Sequence, residues 1–401
     1  MKIGIIGGGA AGFFAAITCA STNPNASVFI FEKSDKLLAK VKVSGGGRCN
    51  VTNATFNLSA LIKNYPRGEK FLKKSFSQFN PKDTIAWFES KGVQLKIEDD
   101  NKMFPITNSS QTIVDCLLNE AKKLGITILK KTNITTITPK EDGYLLEESD
   151  QSHFLDKVII ATGGSPKVTG LDWLSTLGHH ISPPVPSLFT FNMPDNAVTN
   201  LKGVAVENAI VKIQGTKLQS EGAIMITHWG MSGPAILKLS AWGAEILNNE
   251  NYTFNISVNW SMKPNEDHVR EHLNTFRDEK KKISNAKPFV IPNRLWEFLL
   301  HKIGLNNDKR WVDISKKELN QLVNVLYNDT YPVMGKTTFK DEFVTCGGIA
   351  LNDIDVNTME SKICKNMYFC GEVMDIDGIT GGFNFQAAWT TGYIAGKNAC
   401  I

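Results

Sequence analysis

The stretch Lys2–Gly12, KIGIIGGGAAG, restricts what this chain can fold into more than any other segment. The apolar run Ile3–Ile6 reads as a buried parallel strand, and Gly7, Gly9 and Gly12 take the G-x-G-x-x-G spacing of a strand-to-helix turn. Each glycine has its own task. Gly7 permits the tight turn, Gly9 lacks the side chain that would block a pyrophosphate, and Gly12 lets a helix over 12–21 pack on the strand. The phosphates of a dinucleotide would meet free amide groups and a positive dipole at that helix start. A second strand, SVFIFEK (Ser27–Lys33), ends in Glu32, 20 positions after Gly12. An acid there accepts hydrogen bonds from the adenosine ribose. Because a carboxylate repels a ribose phosphate, this pair fits FAD or NAD better than NADP.

With 401 residues the chain has room for two or three domains and a large core. Its net charge of +4 (44 basic minus 40 acidic residues) is interleaved along the sequence and does not imply a polyanionic partner. Seven cysteines without a C-x-x-C pair suit a reducing compartment rather than a disulfide framework. No apolar stretch is long enough to span a bilayer, so a cytoplasmic protein without a membrane partner is expected.

KVSGGGRCNVTN (Lys42–Asn53) has the composition of a polar loop that approaches a ligand with backbone groups. Helices are predicted over 71–79, 81–91 and 112–124, with a short strand at 127–129. VIIATGG, from Val158, reads as a later strand of the same sheet whose terminal glycines, Gly163 and Gly164, pass near the cofactor. SPPVPSLF (Ser182–Phe189) then reads as a proline-rich connection into alternating β-like runs, 204–214 and 252–258. Charged helical patterns follow over 266–278, 292–303 and 315–327. The expected organisation is an α/β chain with a Rossmann-like FAD-binding domain of glutathione-reductase type (1–188 and 344–401). A β-barrel-like domain (189–262 and 328–343) and a small helical insert (263–327) interrupt it.

The motifs GGGAAG at Gly7, SGGGRCNVTN at Ser44, MFPITNSSQTIVDCLL at Met103, ATGG at Ala161, THWGMSGPAIL at Thr227 and CGEVMDIDGITGGFNFQAAWTTGYIAG at Cys370 resemble the BaiN/YhiN-type flavoproteins nearly end to end. The resemblance implies FAD rather than NAD. It assigns Gly7, Gly9, Ala11 and Gly12 to the pyrophosphate, and Glu32 and Lys33 to the adenosine end. Ser44, Gly45, Asn50 and Thr52 would approach the isoalloxazine. Ile134, on a strand edge, would touch the adenine through its backbone, Gly163 and Gly371 would pass close to the cofactor, and Asp375 would bind the ribityl or phosphate region. Gly382, Phe383 and Asn384 would open the last helix toward flavin N1 and O2, where its dipole stabilises developing negative charge. Where the family shows Gly-Arg-Lys, this chain has Leu38, Ala39 and Lys40, so Lys40 alone keeps a cationic contact.

The implied activity is exchange of a hydride equivalent between flavin N5 and a small organic substrate. Relatives suggest either amine oxidation or reduction of a conjugated steroid double bond. No second G-x-G-x-x-G unit is present, which leaves the electron donor open between NAD(P)H and another reductant. A tRNA-modifying flavoenzyme and a noncatalytic flavin protein are the alternatives, and no nucleic-acid partner is expected. His228 in THWGMSGP is the candidate acid or base, against a plain turn-capping role. His268, Glu271 and His272 match an inverted zincin pattern, yet on so charged a helix they read as a solvated face, and no metal is expected. Lys63, Arg67, Lys70, Lys73 and Lys74 form a basic patch with Tyr65 and Phe71 that reads as a solvated helix start. Cys49, without a neighbouring second cysteine, reads as a packing residue.

Overall fold

The computed structural model describes residues 1–149, 151–165, 167–337 and 344–401. The described chain forms two compact units, Met1–Ser187 with Lys340–Ile401, and Leu188–Phe339. The last six positions of the expected 328–343 segment, and with them its boundary with 344–401, lie outside the described residues.

In the first unit, five parallel strands lie in the order β5-β4-β1-β2-β3, where β1 is Lys2–Ile6, β2 Ser27–Glu32, β3 Thr127–Lys130, β4 Lys157–Ile160 and β5 Met367–Phe369. Ile3 and Ile5 are fully buried, as expected for a central parallel strand covered on both faces. Helix α1 (Ala10–Thr22) is apolar all round, and ten of its thirteen residues are buried. Such a helix needs cover on every side. Helix α2 (Phe383–Ala399) supplies part of it, with the Phe14 ring packed at 5.4 Å from Trp389 and from Phe79. Phe14 also meets Trp87 at 4.7 Å, so one aromatic knot joins α1 and α2 to the Pro81–Ser90 helix.

The segment Ile181–Ser187 is a strand, not the loose connection its prolines suggest. It pairs antiparallel with Val344–Ile349, with a register shift between Ser182 and Val185. Among the described residues the ribbon has two strands. A proline can sit on its unpaired edge or at the irregularity, where no N–H is required.

In the second unit, seven antiparallel strands run from Asp329–Met334 at one edge to Lys336–Thr337 at the other. Helices Glu266–Asn274, Asn293–Lys302 and Lys316–Tyr327 share a single hydrophobic core with that sheet, which includes Val211, Ile256, Trp296 and Leu322. No helix among the described residues is long and apolar enough to cross a membrane.

Candidate functional site

Strand β1 delivers Gly7, Gly8 and Gly9 to the edge of the parallel sheet where β2 and β4 also end. The Gly7 N–H donates to Phe31 O at 2.8 Å and turns the chain into α1. Gly9 precedes that helix, and no side chain caps it, so the N–H groups of its first turn, which includes Ala11 and Gly12, lack a side-chain acceptor. A Cβ built on Gly9 would meet no atom within 4 Å. Open space over an uncapped helix start suits a pyrophosphate.

Glu32 closes β2, and its carboxylate accepts the Gly8 N–H at 2.9 Å and the Ser34 N–H at 2.8 Å. Each oxygen retains a lone pair for a hydroxyl. Glu32 and Lys33 line a cleft of about 160 Å³ with Gly7, Ile134, Thr162 and Trp173. Ile134 belongs to this cleft but not to a strand edge. Lys131, at φ +56°, turns the chain out of the sheet after β3 and leaves Ile134 half-buried in the connection that follows.

A second wall comes from residues far apart in sequence. The helical stretch Ala39–Gly47 breaks at Ser44 (ψ 151°) and Gly45 (φ +58°), and the chain continues into Asn50–Asn53. Thr52 Oγ1 donates to Gln386 Oε1 at 2.5 Å, Asn53 Nδ2 to Gly381 O at 2.9 Å, and Trp389 Nε1 to Val51 O at 2.9 Å. Gly382, at φ +89°, lies so close that a Cβ would fall 2.5 Å from Thr52 O. Only glycine fits between these two segments. Asn50 Oδ1 accepts the Met103 N–H at 3.3 Å and fixes the loop from its other side.

Helix α2, like α1, has no side-chain cap, so the N–H groups of Phe383 and Asn384 remain in an uncapped first turn. The Asn384 side chain itself is committed to Gly378, accepting its N–H and donating to its carbonyl, both at 2.8 Å. What Asn384 can offer a ligand is its backbone. Gly163, beyond β4, has open space where a Cβ would point. Gly371, beyond β5, donates to Thr391 Oγ1 at 2.9 Å. Asp375 Oδ1 accepts the Gly347 N–H at 3.1 Å. Lys40 Nζ pairs with Glu372 Oε2 at 2.7 Å, and Glu372 Oε1 accepts the Thr345 N–H.

Sequence reasoning missed a buried charge cluster. Asp377 is fully buried, held by both arms of the Arg67 guanidinium, and accepts the Ser187 hydroxyl at 2.7 Å. Burial holds its carboxyl above the usual carboxylate range, while Arg67 and Ser187 pull it back. The only sequence signal was an acid placed beside the GITGG turn. The basic patch is accordingly smaller than its sequence suggests, because Arg67 and the buried Tyr65, whose hydroxyl donates to Phe383 O, face inward. Lys63, Lys70, Lys73 and Lys74 stay exposed. Cys49 is fully buried and burial pushes its thiol up to about 12, which fits a packing residue.

His228 occupies an exposed turn of the second unit, with its ring 4.2 Å from that of Trp229. In the same unit His268 Nδ1 bonds Asn265 Oδ1 at 2.7 Å and His272 Nε2 bonds Pro288 O at 2.6 Å.

The residues present fit FAD: an uncapped, glycine-lined helix start for phosphate, an acid and a cleft for adenosine, and a second uncapped helix start. Known proteins agree. The chain matches the HI0933-like protein Rossmann domain family over residues 1–398. It is 27% identical over 409 residues to a 3-dehydro-bile acid delta(4,6)-reductase of Clostridium scindens, covering 99% of this chain and 98% of that protein. It is 28% identical over 408 residues to a ribosomal RNA dihydrouridine synthase of Escherichia coli, covering 98% and 96%. In fold it is similar to 3-ketosteroid delta1-dehydrogenase from Sterolibacterium denitrificans (TM-score 0.54, 12% identity, 99% of each chain). It is also similar to a flavocytochrome c3 fumarate reductase (TM-score 0.52, 15% identity, 100% of this chain and 78% of the other). The chain belongs to the HI0933-like family and is an FAD-dependent oxidoreductase with a Rossmann-type FAD-binding domain.

Proposed function

We propose that the protein reduces a carbon–carbon double bond conjugated to a carbonyl in a small organic substrate. One observation carries the reading: two relatives matched over nearly the whole chain, with very different substrates in their names, share that chemistry. A delta(4,6)-reductase acting on a 3-oxo steroid and an enzyme making dihydrouridine both saturate an alkene activated by a carbonyl. FAD, when bound, supplies the electrons as a hydride from N5.

The chain's own residues hold and polarise. The uncapped Gly382–Asn384 turn would offer its N–H groups and the positive end of the helix dipole to negative charge on the flavin ring edge. Arg67, Asp377 and Ser187 lock the segment leading into that turn, and Tyr65 fastens the turn itself through Phe383 O. Lys40, Asp375, Gly163 and Gly371 complete the proposed cofactor-binding set. NAD(P)H is the proposed donor and the cytoplasm the proposed location, supported by seven cysteines that are all free thiols.

The test is anaerobic reduction by NADH or NADPH, followed by mixing with oxygen or with a 4,6-dien-3-one steroid. Reoxidation by the dienone faster than by oxygen is the expected result, and fast peroxide production with no response to any conjugated alkene would overturn it. A second reading, a uracil of RNA as acceptor, is favoured by the exposed cluster Lys63, Lys70, Lys73 and Lys74. It requires RNA binding that weakens steeply with salt.

A further inference from the structure

Helices α1 and α2 touch along a ladder of four-residue steps. A Cβ on Gly392 would sit 2.7 Å from Ala11 O, and one on Gly396 would sit 2.3 Å from Ala15 O. The next rung of that ladder pairs Cys19 with Cys400. Both residues are buried, with Cys19 at 0% and Cys400 at 3% exposure, and the Cys400 thiol donates to Lys397 O at 3.1 Å. The rung is braced on both sides. Asn23 Nδ2 donates to Cys400 O at 3.1 Å, and Lys157 Nζ donates to Ile401 O at 2.9 Å.

The two sulfurs are not equivalent. The Cys400 thiol is held below its ordinary range, first by the neighbouring Cys19 thiol and then by the Thr22 hydroxyl and the Lys157 ammonium, against its own burial. The Cys19 thiol is pushed up by the same pairing. A low thiol beside a cation is the attacking partner, and a second thiol in contact with it resolves the product. Cys49, Cys116, Cys364 and Cys370 are all pushed up by burial and serve as internal controls.

We propose that Cys19 and Cys400 are an oxidisable dithiol that closes to a disulfide on exposure to a hydroperoxide and fastens together the two helices whose starts face the cofactor. The Cys400 sulfur attacks the O–O bond of hydrogen peroxide, forming a sulfenic acid and releasing one water. The Cys19 sulfur then displaces the sulfenic hydroxyl, which leaves with the Cys19 proton as a second water. Two thiols lose two electrons and two protons, and one peroxide becomes two waters. Closure at this rung limits separation of α1 from α2, so it slows cofactor release.

The test treats the FAD-loaded protein with a small excess of hydrogen peroxide, alkylates remaining thiols and digests without reductant. The expected product joins the Cys19 and Cys400 peptides, lighter by the two lost hydrogens and separated by dithiothreitol. FAD release on dilution should slow by about threefold or more, as a cross-link restricting an opening motion would produce. Cys400→Ser should show neither effect. Because the peptide map is made on the unaltered chain, a poorly folding variant does not blunt it. Alkylated thiols at both positions, a Cys400 sulfinic acid without a link, or a linked pair with unchanged FAD release would each overturn the proposal.

Discussion

Thr52 donates its hydroxyl to Gln386 Oε1 at 2.5 Å across 334 residues of sequence, and both side chains are fully buried. The same oxygen accepts the Thr84 hydroxyl at 3.0 Å, while Gln386 Nε2 donates to Thr390 Oγ1 at 3.0 Å. The Thr390 hydroxyl in turn donates to Phe79 O at 2.9 Å. One amide therefore sets the direction of every bond in the network. It ties the Asn50–Asn53 segment to the first turns of α2.

Gln386→Leu should destabilise the protein, because it leaves the Thr52 and Thr84 hydroxyls buried without an acceptor, at about 1–3 kcal/mol for each. Thr52→Val should cost less, since it removes the donor and leaves Gln386 bonded to Thr84 and Thr390. Urea titrations of the single and double variants should give a coupling of about 0.5–3 kcal/mol. Simple additivity would show that the two side chains do not act together.

Gly9→Val should remove FAD without unfolding the chain. The backbone at Gly9 (φ −92°, ψ −170°) is open to any residue, and the added Cβ meets no protein atom within 4 Å. The valine would therefore occupy the space over the α1 start that a pyrophosphate needs. Bound flavin per chain, read from the visible spectrum beside a circular-dichroism melt, decides the matter. Full FAD content in the variant would falsify the assignment.

The parts legible in the sequence are those written in contiguous residues. β1, the glycine turn, α1, β2 and Glu32 follow one another within about thirty positions, so periodicity and spacing sufficed to read a dinucleotide fold. The Arg67–Asp377 pair and the Thr52–Gln386 bond join residues more than three hundred positions apart, and no local pattern marks either. Arg67 looked like one more surface cation among lysines until its partner appeared. Prolines at 183, 184 and 186 concealed a strand because a two-stranded ribbon tolerates missing donors. Asn384 lies in the first turn of the last helix, as its place after the glycine turn predicts, but its side-chain amide satisfies Gly378.

Arg67→Gln should make stability fall as pH rises. Burial already lifts the folded-state affinity of Asp377 for a proton, and removing the guanidinium lifts it further. A carboxyl whose folded pKa lies above its unfolded value stabilises fully below the unfolded pKa, and that stability is lost as pH climbs through the folded one. The variant should lose roughly 3–5 kcal/mol at neutral pH, the usual result of stranding a buried charge, and less in acid. Urea midpoints across that range test the sign. Adding Asp377→Asn should flatten the slope, and a slope unchanged by that second substitution would assign the effect to another group.

Asn384→Asp should lower the flavin midpoint potential, because on the proposed reading the uncapped first turn of α2 would direct a positive field at a reduced, anionic flavin, and a carboxylate there would oppose it. Two effects need separating. The aspartate keeps the acceptor for the Gly378 N–H but loses the donor to Gly378 O, so the turn loosens as well as gaining charge. Asn384→Leu removes both hydrogen bonds and adds no charge, so it reports loosening alone. The difference between the two variants isolates the electrostatic contribution, and spectroelectrochemical titration of the holoproteins measures it. A potential for Asn384→Asp clearly below that of Asn384→Leu, at low ionic strength and with a smaller gap in high salt, is the expected outcome. Equal potentials would mean that the α2 start does not address the flavin, whatever the two substitutions do to stability.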